Sequence, residues 1–367
     1  MKQIDRLVIR EIIGPWLFGV ALFTALLFAG LYLNRVADYV VKGVPPNQIV
    51  QLTLLLLPAI VAKTFGMAIL LAGLLAFGRL SSDSEVVALR AAGASITRII
   101  LPVIVFSIGI AALTLVVNEQ IVPPAANRAK VLLIELAEKG GGVTGEPIHV
   151  LINEKDTNAV LVARSFNLAA RTMSDVSVTT YTKDRKPTSI LLAKEMEFRG
   201  VGDWHIRGES QLILVDNAYV IRTNEAWPPQ VPKVSLSPAD IMTASNNDND
   251  VYSMAEIKRQ IDRGKRDGNL EKSRIANLEY GFWNKISVPL AAIIFGTLGA
   301  VLGIRNARTG TATGFAMAVG IIFGYMLIAN FMNVWALGGV LPAWIAAFLP
   351  LVIGFVCAVI IMWRRNA

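Results

Sequence analysis

The stretch GRLSSDSEVVALRAAGAS, residues 78–95, lies between two long apolar runs. Ser82 with Glu85 three residues on fits a capping box, in which the hydroxyl accepts from the Glu85 N–H and the carboxylate reaches back to the Ser82 N–H. Asp83 and Glu85 also suit the positive end of a helix. VVALRAA continues that helix, and Gly93 is placed to end it as a C′ residue. The expectation is a short helix over 82–93. Val86, Leu89 and Ala92 share one stripe, while Glu85, Ala88 and Arg90 point elsewhere. Such a helix, tied to two apolar runs by short links, is rigid enough to transmit a push. It is equally readable as a plain connection in which Glu85 only caps, and the residues alone leave both readings open.

Working outward, the flanking runs belong to a chain built for lipid. It has 367 residues, of which 54% are hydrophobic and 17% charged, with a mean hydropathy of +0.54. That is too apolar and too charge-poor for an ordinary soluble domain. A bilayer crossing needs about 20 apolar residues. Six runs qualify: 12–33, 49–77 (with one charge, Lys63, and a kink expected at Pro58), 99–117, 286–304, 311–334 and 343–363. The first is too long for the apolar core of a cleaved signal peptide. Lys2, Arg6, Arg10, Arg79, Arg90, Arg98, Arg305, Arg308, Arg364 and Arg365 flank one side of these runs, against Arg35 and Lys42 in the short loops of the other. The positive-inside bias then puts both termini and residues 78–95 in the cytoplasm and the long segment 118–285 outside. The net charge of +8 follows from this flanking, so no nucleic-acid partner is expected. DRLVIREI (5–12) places Leu7, Val8, Glu11 and Ile12 on one helical side, as a partly interfacial helix or a plain basic flank would.

The outside segment changes period. After a helix extending past Pro123 and Pro124 to the glycines of GGGVTG (140–145), seven short β-rich runs follow: 148–153, 159–166, 176–182, 188–196, 204–208, 211–215 and 218–223. This spacing predicts a sandwich or jelly roll of about 100 residues. Residues 228–238 read as an extended strap and NNDND (246–250) as a turn. Residues 252–280 read as a charged, solvated helix interrupted near Gly264 or Gly268. The expected organisation is a first membrane half at 1–138, a β-domain at 139–245 and a second membrane half at 246–367.

Catalytic signatures are missing. There is no GxxxxGK[ST], HExxH or GxSxG, and Gly264–Lys265 lacks the upstream glycine of a phosphate loop. The two histidines, His149 and His205, are far apart, and the single Cys357 lies in an apolar run and can form no intramolecular disulfide. The reading is a non-catalytic chain that holds no metal or cofactor of its own.

GRLSSDSEVVALRAAGAS resembles the cytoplasmic coupling helix of the lipopolysaccharide-export permease family, LptF/LptG. LGGVLPAWIAAFLP (337–350) resembles that family's loop into its last span. EYGFWNKISVPLAAIIFGTLGAVLGI (279–304) and RNARTGTATG (305–314) resemble its fourth span and last cytoplasmic loop. Leu351 departs from the pattern, which places Asn there. The resemblance covers nearly the whole chain and implies six transmembrane helices with a periplasmic β-jelly roll between the third and fourth. It implies a multi-pass subunit of the bacterial inner membrane that takes lipopolysaccharide from the outer leaflet and passes it to a periplasmic bridge. A second permease subunit, an LptB-like cytoplasmic ABC ATPase dimer using ATP and Mg, and an LptC-like bridge protein would be its partners. Ser82, Glu85, Leu89, Arg90 and Gly93 would couple to the ATPase. The alternative is an exporter or mechanotransmission subunit serving another envelope lipid or lipoprotein.

A phosphorylated lipid needs cations at the outer interface above apolar walls. Lys63 lies sixteen residues before Arg79, about 24 Å at about 1.5 Å per residue, in the outer part of a core about 30 Å thick. It either faces a cavity or snorkels to the headgroups. Arg35 matches a basic site of the resembled family, and Lys42, Arg128 and Lys285 are further candidates. Gly314, Gly320 and Gly324 allow close helix approach. The resemblance makes them packing residues of a subunit contact or lateral gate, while packing within one bundle is the other reading.

Overall fold

The structure, a computed structural model, describes residues 2–41, 43–138, 148–154, 157–167, 170–182, 186–200, 203–215, 219–224, 226–234, 249–267, 272–304 and 311–366. Lys42, the GGGVTG stretch, most of NNDND, Gly268 and residues 305–310, with Arg305 and Arg308, lie outside them. Among the described residues, six helical rods are long and apolar enough to cross a membrane. They are α1 (Lys2–Leu31), α3 (Pro46–Ser82), α5 (Ile96–Val116) with its continuation, α8 (Lys272–Gly303), α9 (Thr311–Leu337) and α10 (Ala343–Asn366). Shorter helices are α2 (Leu33–Val41), α4 (Glu85–Ala91), α6 (Val122–Glu138) and α7 (Met254–Asp267). α1 runs unbroken from Lys2 to Leu31, so DRLVIREI is the first part of the same helix as the first span. The span ends two residues earlier than expected, at Leu31, where a turn at Tyr32 starts α2.

The third rod changes its winding where the prolines demand it. Pro123 and Pro124 have no N–H, so the carbonyls four residues back lose their helical donors. The chain answers with one wide π turn, Val117–Ile121, in which the Val122 N–H donates to the Val117 carbonyl. The helix then continues as α6.

The membrane bundle is built around α3 and α8, with α1 laid along α3, and α5 and α10 against α8. Ile69, Leu70, Leu71 and Phe77 of α3, Ile99 and Ile100 of α5, and Ala300 and Val301 of α8 are fully buried. The α3–α8 crossing is closed by glycine. A Cβ at Gly299 would lie 2.5 Å from the Leu70 carbonyl oxygen, one at Gly303 2.8 Å from that of Gly73, and one at Gly73 2.8 Å from Gly299 itself. Backbones that close leave no room for any side chain.

Between α6 and α7 the strands form one antiparallel meander: β1 (Ile148–Glu154), β2 (Thr157–Asn167), β3 (Thr172–Tyr181), β4 (Pro187–Gly200), β5 (Asp203–Leu214) and β6 (Tyr219–Asn224). Among the described residues there are six strands rather than the expected seven, because 204–208 and 211–215 belong to one strand, β5. The glycine that reads as a break, Gly208, instead takes φ +80 inside the strand. There β5 spends one residue more than β4 between the pairs Ala193↔Ser210 and Glu195↔Arg207. Such a bulge bends a strand without ending it. The described strands are hydrogen-bonded in one continuous sheet. The sheet is strongly curled, since the rings of Phe166 on β2 and Trp204 on β5 are 6.4 Å apart. Three spacings of about 4.8 Å would separate those strands by about 14 Å if it were flat. Its inner face buries Leu161, Met173, Val178, Leu191, Met196 and Leu212. The strap closes this core through Val231, Val234 and Trp227, whose indole N–H donates to the Val231 carbonyl at 2.9 Å.

The return helix α7 is not interrupted at Gly264, which is buried within it. Its start carries a capping box: the Ser253 N–H donates to Glu256 Oε2 at 2.8 Å, and the Glu256 N–H to Ser253 Oγ at 3.2 Å. Glu119, in the π turn, accepts from the Met254 N–H at 3.0 Å.

Candidate functional site

The segment at 78–95 folds differently in detail from the capping-box expectation. α3 overruns it, so Ser82 is the last residue of the span and donates its hydroxyl to the Gly78 carbonyl at 2.9 Å. Back-bonding of this kind is the local alternative open to a helical serine. The turn is made by Ser84, in the left-handed region at φ 59, and no side chain caps α4. Only Glu85–Ala91 is helix. The far end follows expectation: Gly93 takes φ +88, its N–H donates to the Arg90 carbonyl, and the Ala94 N–H to that of Leu89, a complete Schellman pair.

The faces of α4 are also redistributed. Val86 is buried and Leu89 packs against the membrane core, so Leu89 is an anchor rather than an outward contact. Ala92 leaves the predicted stripe and is exposed. Ala88, Arg90, Ala91 and Val87, the last 64% exposed, form the outward face. Glu85 is half-buried, and its Oε2 is occluded without a hydrogen-bond partner among the described residues.

Both stems of α4 are tied to α1. Arg98, near the start of α5, donates from Nη1 to Asp5 Oδ1 at 2.7 Å and from Nη2 to Oδ2 at 2.9 Å, the bidentate geometry an arginine fork allows. Arg79, in the last turn of α3, donates to Glu11 Oε2 at 3.1 Å and lies 3.7 Å from Asp83. The first three turns of α1 therefore hold the two helices that carry the α4 loop. Sequence reading missed this clamp because the partners are 93 and 68 residues apart. The only local signal was two acids in an otherwise basic flank.

At the opposite end, where the chain leaves for the sheet, the basic candidates separate. Arg35 is in α2, with its side chain outside the described set. Arg128 is exposed on α6 and Lys63 exposed on α3. Lys285 turns the other way. It is 6% exposed and its Nζ donates to the Asn118 carbonyl of the π turn at 3.2 Å. It lines a cavity of about 430 Å³ bounded by α3, the π turn, α8 and α9, with Lys63 at its wall. Of the glycines on α9, Gly314 packs on Leu74 and Leu75 of α3, whereas Gly320 and Gly324 have nothing within 4 Å of a built Cβ.

Six membrane-length helices, an antiparallel sheet inserted between the third and fourth, and a short exposed helix between the second and third describe a multi-pass membrane subunit of permease type. The chain belongs to the family of the lipopolysaccharide export system permease LptF/LptG, which matches residues 6–364, and its curled sheet fits that family's jelly-roll domain. No curated protein matches the sequence.

Proposed function

We propose that this chain is one of two permease subunits of an ATP-driven exporter of the bacterial inner membrane. It would extract lipopolysaccharide from the outer leaflet and pass it to a periplasmic bridge protein. Residues 1–138 and 246–367 are its membrane halves, both termini are cytoplasmic, and 139–245 is the periplasmic domain. The observation that carries the reading is α4. Its exposed face, Val87, Ala88, Arg90 and Ala91, suits a docking partner, and its stems are clamped to the first span. A cytoplasmic ABC ATPase dimer, using ATP and Mg, seats on that face. When it closes, α4 moves and carries α3, α5 and α1 together. The open α9 positions Gly320 and Gly324 face the second permease subunit or the gate between them. Arg35, Lys42, Lys63 and Arg128 supply the cations of the outer rim, where arginine favours paired phosphate contacts.

Mass spectrometry of the detergent-purified complex tests this reading. The expected spectrum holds the ATPase, a second permease subunit and bound lipopolysaccharide. A chain recovered alone, or with an enzyme partner and no lipid, would refute it.

A further inference from the structure

The cavity beside Lys285 shares Lys63 with the outer rim just described, but the rest of its lining is separate and it does not depend on the export reading. Six asparagines line it, with Tyr280, Tyr325, Lys63 and Lys285, and no carboxylate does so among the described residues. This chemistry is unusual at membrane depth, where polar groups are expensive and mark functional sites. Asn249 fixes its own amide orientation: Nδ2 donates to the Asn277 carbonyl at 2.9 Å, which leaves Oδ1 as the other face. That oxygen is occluded with no hydrogen-bond partner among the described residues, in a residue 7% exposed, and Asn333 Oδ1 on α9, in a half-buried residue, likewise has none. Two ammonium groups, Lys63 of α3 and Lys285 of α8, line the cavity and favour an anion.

A second observation gives the ligand its tail. Lys63 also belongs to a neighbouring apolar groove formed by Leu27, Leu31, Leu55, Leu56 and Ile60. The site therefore runs from a polar, acid-free chamber past a shared lysine to hydrocarbon. Lys63 lies about 24 Å along α3 from Arg79, and Asn333 about 33 Å along α9 from its first residue, at about 1.5 Å per residue. Both distances put the chamber at the bilayer boundary on the sheet side. The volume is that of a small-ligand pocket and suits one compact headgroup better than a phosphorylated oligosaccharide.

We propose that this chamber is a built-in site for an anionic phospholipid with a hydroxylated headgroup, such as phosphatidylglycerol. Its headgroup sits among the asparagines, its phosphate lies between Lys63 and Lys285, and an acyl chain occupies the α1–α3 groove. The lipid is a resident of the subunit, not its cargo. Asn118, whose carbonyl holds Lys285, sits in the π turn, so an occupied site braces the junction where the third span gives way to α6.

The purified full chain, delipidated in detergent and offered equal phosphatidylglycerol and phosphatidylcholine, is to be followed by native mass spectrometry. The expected result is one retained phosphatidylglycerol, favoured at least tenfold. Asn333→Asp, equal in size and adding a negative charge, and Lys285→Met should each lower retention at least tenfold. Arg164→Glu, at an exposed position of the sheet, should leave it unchanged. Equal retention of the two lipids overturns the proposal without recourse to any variant, as does equal retention by wild type and both variants. Displacement of phosphatidylglycerol by lipopolysaccharide with the same sensitivity to Asn333→Asp would assign the chamber to cargo and overturn it too. None of these outcomes bears on whether α4 docks an ATPase.

Discussion

Asp5 and Arg98 form the side-chain pair that ties the first helix to the start of α5. Two parallel hydrogen bonds of 2.7 and 2.9 Å fix α1 to the start of α5. Arg79 with Glu11 does the same for the end of α3. If these pairs transmit motion, charge and not residue identity is what counts. Arg98→Asp should uncouple export from ATP hydrolysis severalfold while ATPase binding through α4 persists. The double exchange Asp5→Arg with Arg98→Asp should restore most of the transport rate. A double exchange no better than the single one would count against the clamp, and measured export per ATP in proteoliposomes decides it. The Arg98–Asp5 pair is partly buried and bidentate, a geometry that can contribute to stability, so the thermal midpoint of Arg98→Asp is measured beside export to separate transmission from folding.

Among elements, the α3–α8 crossing carries the bundle. Gly299→Val places a side chain where the Leu70 carbonyl already stands 2.5 Å away, and overpacking of this kind costs about 1–3 kcal/mol. Thermal unfolding of the detergent-solubilised chain should show a clear loss. Gly320→Val on α9 meets nothing within 4 Å, so the single chain should keep its midpoint while pairing with the second subunit weakens. An unchanged midpoint for Gly299→Val would contradict the crossing. The elements also show what the sequence could say. The six spans are legible because hydropathy over about 20 residues needs no partner to be read. The end of α4 is legible because Gly93 announces a left-handed residue. The start of α4 is not. Ser82-x-x-Glu85 and Ser253-x-x-Glu256 carry the same signature, and only the second folds as a box. The difference is tertiary: the apolar face of α3 keeps Leu80 and Ser81 buried, so its helix continues through Ser82. Gly208 misled for a related reason, since a bulge and a break look alike in one strand and differ only in the neighbour's register.

At the scale of the whole molecule, two ends with different chemistry are joined by rigid rods. One end is the short exposed α4 with its ion-paired stems. The other gathers asparagines from α8, α9, the π turn and the residues before α7 into one chamber. Those asparagines are scattered over more than two hundred residues, and no spacing rule links them, so the chamber emerges only on folding. Lys285 was legible as a cation near the membrane boundary but not as an inward one. The central claim is that work enters through α4, and Val87, 64% exposed on its outer face, gives the most direct access to it. A photoreactive group at Val87 in the assembled complex should crosslink to the ATPase, with a yield that changes on ATP binding, and Glu85→Ala should lower both that yield and lipopolysaccharide export at least severalfold. Absence of any ATPase adduct from Val87 while export proceeds at the wild-type rate would contradict the account.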